Sequence, residues 1–519
     1  MLALLVLVTL LPRALVFPVN ENLHGDAVVR TELAERWAAE PHWIGSFEDG
    51  AYQFGPLHLY AVGAALWAFP DRADAGRWVS LLFGVLSVVP LYLLTRRLFG
   101  WRAGLVAGLA FAAWGMHVQF STTAASESLS LFLVLCVLSA FARGWDEGKL
   151  APLALAAIFL NLACATRYDA WLLIPLLSVL LLLRDKNDKV GGFTRAVMFG
   201  LFCLPFPMIW MQGNELATGS PIHPITYINQ FHQQWAAEGI ASMGGAGFRL
   251  QNLLFWPAMA LFTLSPLLAA FGLVGMVKTF RESKRHRWLV WVALLPTAYF
   301  TFRGAVLLDF VPLGRFTAGQ LVLLLPFVSA GFSAVSARVS LPLRQGLAGA
   351  TALVAVGMPL WMGLFTLGAE PGPAVSLNPV SPVTQNPRPL MAAADALRET
   401  VGPAEGVLLL DASPGFEDIQ LAFFSNLPEA RLIRVRWGDT ERRMEETRPD
   451  WLLRIEGGEL EKRSDFGERE GRVQVGELWF EFVDAADAPY HLYRRVRSES
   501  PPQGTGTAGT AQPGSPRAN

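Results

Sequence analysis

The chain is short of charged residues. Only 16% of its 519 residues are Asp, Glu, Lys or Arg, whereas soluble globular domains carry about a quarter. The formal net charge is −1, so the sequence lacks the basic excess that a nucleic-acid partner requires. Apolar residues make up 52% of the chain. These proportions exclude an ordinary soluble domain and indicate a protein that lies mostly in a membrane.

Cysteine and metal-binding patterns are scarce as well. Cys136, Cys164 and Cys203 lie inside apolar runs, which is typical of small core residues rather than of disulfides or metal ligands. His223 and His232 are too scattered to form a metal site. The chain contains no Asp-x-Asp motif, and this absence argues against a metal-bound nucleotide-sugar donor.

Long apolar runs recur from the first residue to about Leu367. About 20 apolar residues suffice to cross a bilayer core of roughly 30 Å. The first run lacks a basic start and a small-x-small cleavage site, so we interpret it as a retained helix rather than a signal peptide. We predict about eleven spans, several of them short, at 1–18, 79–95, 103–120, 128–142, 150–166, 170–183, 194–211, 253–277, 288–302, 319–337 and 346–367.

Lysine and arginine mark every second connection between these spans. Cytoplasmic loops carry an excess of these residues, so we predict that the N-terminus is cytoplasmic and that the membrane is the cytoplasmic (inner) one. The basic connections are Arg96–Arg102, Arg143–Lys149, Arg184–Arg195, Lys278–Arg287 and Arg338–Arg344. The remaining loops, together with everything after Leu367, then face outward: 19–78, 121–127, 167–169, 212–252 and 303–318.

The first of these outer loops contains an apolar segment of its own, Phe54–Phe69. It is opened by Gly55-Pro56 and closed by Pro70-Asp71, and proline favours the first turn of a helix or the region just beyond its end. We interpret the segment as an interfacial or re-entrant helix.

The chain changes character after the transmembrane domain, which we place at 1–370. Residues 371–388 are rich in Pro, Ser and Asn and indicate a linker. Residues 389–498 alternate short helical and strand patterns, which predicts a small α/β domain. No glycine-rich phosphate loop follows its strands, so we assign it no nucleotide. Residues 499–519 have little apolar content and should be disordered.

Three helices and three strands are predicted in this domain. The helices are Pro389–Val401, Asp418–Ser425 and Asp439–Thr447, and the strands are Gly406–Asp411, Ala430–Val435 and Trp451–Ile455. The domain is expected to act as a structural or acceptor-recruiting cap.

Ionisable residues are nearly absent from the predicted spans and collect at their outward ends. Arginine can grip a phosphate with two hydrogen bonds, and a carboxylate can take a proton from a hydroxyl. The two residue types on one face of a bilayer therefore suit a phosphate-bearing substrate and a proton transfer. The candidates are Asp26, Glu48, Asp49, Glu127, Arg167, Asp169, Arg303, Asp309 and Arg315.

Most of these residues also have a plainer interpretation. In this interpretation Asp26 would be a solvated charge at a helix end. Glu127 would cap the helix 128–142, because acids favour helix N-termini. Arg167 and Asp169 pair with each other at a helix turn, Arg315 anchors a helix at the interface, and His24 makes hydrogen bonds within its loop.

Four stretches in order carry a resemblance to a known family. They are the acid in His24–Asp26, the Gly-Pro-Leu segment in Tyr52–Tyr60, the stretch Arg77–Gly100 followed by Glu127, and Gly314–Phe316 before an apolar span. In this order they resemble the C-type (GT-C) membrane glycosyltransferases, specifically the family-39-like bacterial enzymes similar to protein O-mannosyltransferases and to the lipid A aminoarabinose transferase. The resemblance covers most of residues 1–330.

The resemblance implies a polytopic α-helical GT-C fold and a glycosyltransferase reaction. The donor would be a sugar on a polyprenyl phosphate, and the acceptor a hydroxyl of a protein, lipid or glycan on the extracytoplasmic face. Asp26 would be the general base, and Glu127 would orient the acceptor or Asp26. Two acids would also suit a divalent cation, but the resemblance favours a metal-free reaction. Substrate and phosphate binding would fall to Arg315, Arg303, Arg167, Asp169, Glu48 and Asp49.

The chain departs from the family at two positions. Phe54-Gly55-Pro56-Leu57 stands where relatives often have Lys-Pro-Pro-Leu, so a basic contact to the lipid phosphate is missing there. Glu127 stands where many relatives have Asp. Two other classes remain open: a lipid or glycan transporter, and a scaffold whose working part is the outer α/β domain. A transporter needs polar residues along a path through the membrane, where the sequence offers mainly Asn161, and a scaffold makes Asp26 dispensable.

Overall fold

The computed structural model describes residues 1–19, 25–69, 71–184, 188–366, 388–412, 417–435, 440–469, 471–484 and 489–496. The chain divides into two compact units, Met1–Pro387 and Arg388–Asn519. The predicted tail 499–519, His24 and all of the predicted linker except its last residue lie outside the described residues.

The described part of the first unit is helical. Its helices are, in chain order, α1 (Leu2–Val16), α2 (Gly25–Ala39), α3 (Pro56–Ala68), α4 (Arg72–Leu86), α5 (Val88–Phe99), α6 (Trp101–Ala112), α7 (Gly115–Phe120), α8 (Glu127–Glu147), α9 (Leu150–Cys164), α10 (Leu173–Leu183), α11 (Lys189–Cys203), α12 (Pro205–Thr218), α13 (His223–Leu264), α14 (Pro266–Glu282), α15 (Arg287–Phe302), α16 (Ala318–Leu321), α17 (Leu325–Ser336) and α18 (Leu341–Thr366). Short 3-10 or π turns lie at Phe47–Ala51, Tyr168–Leu172, Arg303–Leu307 and Gly314–Thr317.

Several of these helices are apolar and long enough to cross a membrane. Among the described residues, four helical runs meet both conditions, or up to six if two bent pairs each form one span. The predicted apolar helices are therefore present, but the count of eleven is not confirmed. The four runs are Arg72–Phe99, Glu127–Glu147, Arg287–Leu307 and Gly314–Ser336, and shorter apolar helices lie at Leu2–Val16, Trp101–Ala112, Leu150–Cys164 and Tyr168–Leu183.

The predicted span 253–277 is bent in the structure, and the predicted outer connection 212–252 is largely helical. Helical structure already begins at His223, is interrupted at Gly244 (φ 76°, ψ 157°) and continues to Leu264, and the chain then bends by 119° between α13 and α14. The bend lies at Ser265, whose φ is 79°, because Pro266 removes a backbone donor and disfavours helical geometry at the residue before it. The first half of α13 was missed because the prediction followed apolar runs, and this half is polar.

Helix α4 fixes the segment that leads into α8. Gly84 packs so closely on this segment that a Cβ there would lie 2.2 Å from Ser121 Oγ. The hydroxyl of Ser80 donates to the carbonyl of Ala125 over 3.0 Å. All residues from Ser121 to Ser128 are buried. Glu127 therefore starts its helix from a rigid, solvent-excluded turn.

The first loop is fixed in the same way against the turn that follows α9. The backbone N–H of Leu57 donates to the carbonyl of Ala165 over 3.0 Å. At Gly55 a Cβ would lie 2.3 Å from that same carbonyl oxygen, so only glycine permits this approach. The contact brings the start of α3 beside Arg167, two residues further along the chain.

The second unit contains a seven-stranded sheet of order β2-β1-β3-β7-β6-β5-β4. Strands β2, β1 and β3 are parallel, and the other pairings are antiparallel. The helices and strands predicted up to Ile455 are all present, whereas the last four strands were not predicted. The strands are β1 (Leu408–Leu410), β2 (Leu432–Arg434), β3 (Trp451–Ile455), β4 (Phe466–Arg469), β5 (Arg472–Val475), β6 (Leu478–Asp484) and β7 (Tyr490–Arg495), and the helices are α19 (Arg388–Ala396), α20 (Glu417–Ser425) and α21 (Thr440–Thr447).

Candidate active site

Asp26 lies in the first turn of α2, where the helix dipole favours a carboxylate. Its Oδ2 atom is 2.6 Å from Nη1 of Arg315, which belongs to the turn Gly314–Thr317 some 290 residues later. Only 25% of the Asp26 side chain and 14% of the Arg315 side chain are exposed. Asp26 is therefore a partner in a partly buried ion pair rather than a solvated charge at a helix end.

A second group of ions is built around Arg167. Its Nη1 donates to Oε1 of Glu127 over 2.7 Å, and its Nε donates to Oδ1 of Asp169 over 3.2 Å. The Glu127 side chain is only 5% exposed. Arg167 thus bridges the start of α8 and the turn Tyr168–Leu172, and the local pair of Arg167 with Asp169 is present.

The two ion groups share one electrostatic environment. Burial by itself lowers the pKa of Arg167, but nearby carboxylates more than offset this and raise the pKa above its ordinary value. These carboxylates are Asp169, Glu127 and, at longer range, Asp26. The residues that begin α2 and α8, and the turn between α9 and α10, therefore meet at one place.

Two further residues belong to this place and were not predicted from the sequence. Arg30 is 6% exposed, and its guanidinium carbon lies 4.1 Å from the ring centre of Phe54. His58, in the first turn of α3, is 1% exposed. The only signals in the sequence were the i+4 spacing of Arg30 from Asp26 and the position of His58 within the Tyr52–Tyr60 stretch.

The charge states of these two residues differ. Burial lowers the pKa of Arg30 to about 10, with smaller effects from the surrounding carboxylates and arginines, so the guanidinium stays protonated at neutral pH. Burial, followed by the charge of Arg30, lowers the pKa of His58 to about 3. The imidazole is therefore neutral and has one N–H to donate.

A groove opens beside these ions. Its polar end is formed by Glu127, Arg167, Asp169 and Arg315. Its walls are mostly apolar and come from α8, α10, α15 and the segment after Arg315; they include Leu131, Val134, Leu173, Val292, Pro296 and Leu323. A groove with a charged end and apolar walls suits an amphipathic ligand.

The remaining predicted site residues lie elsewhere. Arg303 is occupied by Asp309, to which its Nε and Nη2 donate over 3.1 and 3.2 Å, and by Asn229, to which its Nη1 donates over 3.0 Å. Glu48 and Asp49 are exposed on the turn Phe47–Ala51, where Asp49 accepts from the N–H of Gly45. Among the described residues, no three His, Cys, Asp or Glu side chains are placed to hold a metal ion.

Arg13 is an ionisable residue inside the first apolar helix, and it is fully buried. Its Nε donates to Ser121 Oγ over 3.2 Å, and its Nη2 is 2.9 Å from His117 Nδ1. These contacts tie α1 to the turn that precedes Glu127. Arg13 thus helps to hold in place the turn that leads to Glu127.

Residues 54–210 match the family described as dolichyl-phosphate-mannose-protein mannosyltransferase. No curated protein matches the chain. The matched region begins at Phe54 and includes Glu127, Arg167 and Asp169, whereas Asp26 and Arg315 lie outside it.

Solved structures resemble the chain over most of its length. ArnT from Cupriavidus metallidurans bound to undecaprenyl phosphate superposes with a TM-score of 0.64 at 13% identity, covering 96% of this chain and 99% of that one. The apo form of that protein gives 0.60 at 14% identity over 87% and 92%. The oligosaccharyltransferase AglB from Archaeoglobus fulgidus, in complex with an inhibitory peptide and a dolichol-phosphate, gives 0.52 at 14% identity over 88% and 69%. The resemblance to GT-C glycosyltransferases is confirmed, and the chain has their fold.

Proposed function

We propose that this protein is an integral membrane glycosyltransferase that moves a sugar from a polyprenyl-phosphate donor to a hydroxyl acceptor on the extracytoplasmic face. One observation carries the proposal: Arg315, which pairs with Asp26, and the Glu127–Arg167 ion pair line the same groove, whose walls are mostly apolar. The bound undecaprenyl phosphate of ArnT and the dolichol-phosphate of AglB support the same class of donor.

The groove suits such a donor for a physical reason. The isoprenoid chain is as apolar as the bilayer around it, so its transfer into the groove gains little hydrophobic free energy. Affinity and selectivity must therefore come from the phosphate and the sugar. Arg315 lies at the polar end of the groove, and the carboxylate that it pairs with, Asp26, is also the proposed base.

The reaction is a displacement at the anomeric carbon of the sugar. Asp26 takes the proton of the acceptor hydroxyl while the hydroxyl oxygen forms a bond to that carbon. The bond between the anomeric carbon and the phosphate oxygen breaks, and its electron pair leaves with the polyprenyl phosphate. A well-placed general base contributes about 10²–10⁴-fold to the rate, and arginine stabilises the additional negative charge on the leaving phosphate.

The ion pair between Asp26 and Arg315 implies that the donor binds before Asp26 accepts the proton of the acceptor. In the free protein one oxygen of Asp26 accepts from Arg315. A donor phosphate offers Arg315 a second anion and two oxygens in the geometry that guanidinium prefers. As Arg315 turns to the phosphate, the carboxylate of Asp26 becomes available to the acceptor hydroxyl. Donor binding therefore prepares the base.

The proposal is tested by direct assay of the purified full chain. The protein in lipid nanodiscs is incubated with undecaprenyl-phosphate-linked mannose, glucose or aminoarabinose, and extracted membranes supply the acceptors. We expect release of undecaprenyl phosphate with at least one donor, and no release with protein that carries Asp26→Asn. Movement of the intact donor between leaflets without any release would instead support a transporter.

We predict that the N-terminus is cytoplasmic and that the unit from Arg388 onward is extracytoplasmic. The alternation of basic connections motivates this orientation. With a tag at each end, protease added to intact spheroplasts should remove the C-terminal tag and spare the N-terminal one until the membrane is opened. Protection of the C-terminal tag would place the ion pairs on the wrong side of the membrane for the proposed donor.

A further inference from the structure

Arg30 is a buried cation that has no hydrogen-bonding counter-ion among the described residues. Its Nη1 atom is inaccessible to solvent and has no hydrogen-bond partner in the described parts of the chain. The neighbouring arginines differ from it, because Arg315 pairs with Asp26 and Arg167 pairs with two carboxylates. Leaving a buried charge without such a partner is unfavourable. The protein nevertheless keeps this one within electrostatic range of Asp26, Glu127, Arg315 and Arg167.

The guanidinium of Arg30 is held in place by an aromatic ring. It lies 4.1 Å from the centre of the Phe54 ring, within the range of a cation–π contact. Such a contact fixes one face of the guanidinium and leaves its N–H groups, which lie in the plane, free to donate. Asp26, Glu127, Arg315 and Arg167 all influence the pKa of Arg30, so the group lies within the electrostatic range of the whole site.

His58 is unsatisfied in the same way. Both of its ring nitrogens are buried without a hydrogen-bond partner among the described residues, and the charge of Arg30 acts on it. A neutral imidazole and a guanidinium together present several donors and no negative charge. Unsatisfied donors of this kind, both buried and within electrostatic range of each other, point to an anionic acceptor that is bound during function.

We propose that Arg30 and His58 hold the phosphate of the lipid-linked donor together with Arg315, with Phe54 serving as the platform that orients the guanidinium of Arg30. The inference rests on the proposed function and names two of its phosphate contacts. It also gives Phe54 a role, because its ring lies 4.1 Å from the guanidinium carbon of Arg30.

The chemistry of the reaction calls for a cation in addition to Arg315. The donor phosphate is a diester with one negative charge, and the product is a monoester that gains a second charge when the bond to the sugar breaks. In the free protein the charge of Arg315 is already paired with Asp26. Arg30 is not paired in this way among the described residues and is already desolvated, so it interacts strongly with the charge that develops on the leaving group.

The test uses a substitution that is expected to weaken ligand binding without lowering the stability of the ligand-free protein. Arg30→Met keeps an unbranched side chain of similar length and removes the unpaired charge. A ligand-binding role predicts that the thermal unfolding temperature without ligand stays equal or rises, while affinity for a phosphate-bearing lipid falls. A purely structural role predicts that the unfolding temperature falls while the affinity for the phosphate-bearing lipid is unchanged. Arg36→Met is the matched control, because Arg36 lies on the same helix and is exposed.

The full chain is purified in detergent, and binding is measured for three probes: farnesyl phosphate, farnesol and inorganic phosphate. We expect farnesyl phosphate to bind Arg30→Met about tenfold or more weakly than wild type, a loss typical of one charge-assisted contact, with farnesol and the Arg36→Met control unchanged. Arg30→Lys keeps the charge without the planar fork, and we expect it to weaken farnesyl phosphate binding by a smaller factor.

Each other outcome is decisive. Unchanged farnesyl phosphate affinity in both Arg30 variants overturns the inference and leaves the proposed function standing. If wild type binds farnesol as well as farnesyl phosphate, the proposed function itself fails. Equal affinity for inorganic and farnesyl phosphate overturns the assignment of Arg30 and His58 to a lipid-linked phosphate.

Discussion

Asp26→Asn is expected to leave the protein folded and to lower sugar transfer by about a hundredfold or more. Asparagine retains the size of aspartate and one oxygen that accepts a hydrogen bond from Arg315, but it cannot take a proton from a hydroxyl. The loss of charge next to Arg315 should lower the free energy of unfolding by about 1.5–3 kcal/mol, the range for a hydrogen bond to a charged group. Transfer, expression and thermal unfolding in detergent are measured side by side.

Glu40→Gln is the control for this experiment. Glu40 is an exposed carboxylate in the same first loop, and its neutralisation should change neither transfer nor stability beyond the small effects of a surface substitution. Near wild-type transfer by a stable Asp26→Asn protein would show that Asp26 is only the structural partner of Arg315. The base would then have to be sought at Glu127 or Asp169, the two carboxylates that line the groove.

Much of the first unit could be predicted from its sequence because apolar runs report membrane helices directly. Span 128–142, for example, corresponds to α8 at Glu127–Glu147. The same rule failed for a segment that is helical but polar, and for a bend within an apolar run. The first half of α13 is helical but polar, and Ser265-Pro266 breaks a run that is apolar throughout. An apolar pattern gives the composition of a helix, whereas bends depend on the backbone.

The second unit shows the same limit in a different form. Its first half alternates helix and strand, and each element was predicted from local pattern. Strands β4 to β7 carry charged residues on an antiparallel meander, as in Phe466–Arg469 and Arg472–Val475. Half-exposed strands of this kind lack the continuous apolar run that marks a buried parallel strand. Their signal is a short alternation such as Val473 and Val475 in β5, which the prediction did not use.

The candidate site depended on the resemblance more than on spacing. No local rule connects Asp26 with Arg315, because their contact is made only when α2 and the turn before α16 come together in space. The order of motifs supplied that connection. Arg30 and His58 were missed for a complementary reason: each looks like an ordinary helix residue in the sequence, and only its burial without a hydrogen-bond partner marks it.

The ion pair between Arg167 and Glu127 gives the largest expected effect on stability. Arg167→Met should lower the free energy of unfolding by about 3–5 kcal/mol, because it leaves the carboxylate of Glu127 buried without its cation. Glu127→Gln should be less severe, since Arg167 retains Asp169 at 3.2 Å. The protein that carries both substitutions should be more stable than Arg167→Met alone, because the uncompensated charge is gone. Chemical denaturation of all four proteins in detergent gives the coupling between the two positions.

A surface pair provides the comparison that makes this result specific. Arg195 and Asp188 are 2.9 Å apart, but half of the Asp188 side chain is exposed, 51% against 5% for Glu127. Arg195→Met should therefore change the free energy of unfolding by no more than about 1 kcal/mol. If Arg167→Met is no more destabilising than this control, Glu127 is not held as a buried ion, and its place in the groove would have to be set by the Ser121–Ser126 turn alone. A large loss that Glu127→Gln relieves would instead show that Arg167 keeps the second acid of the site charged and in place.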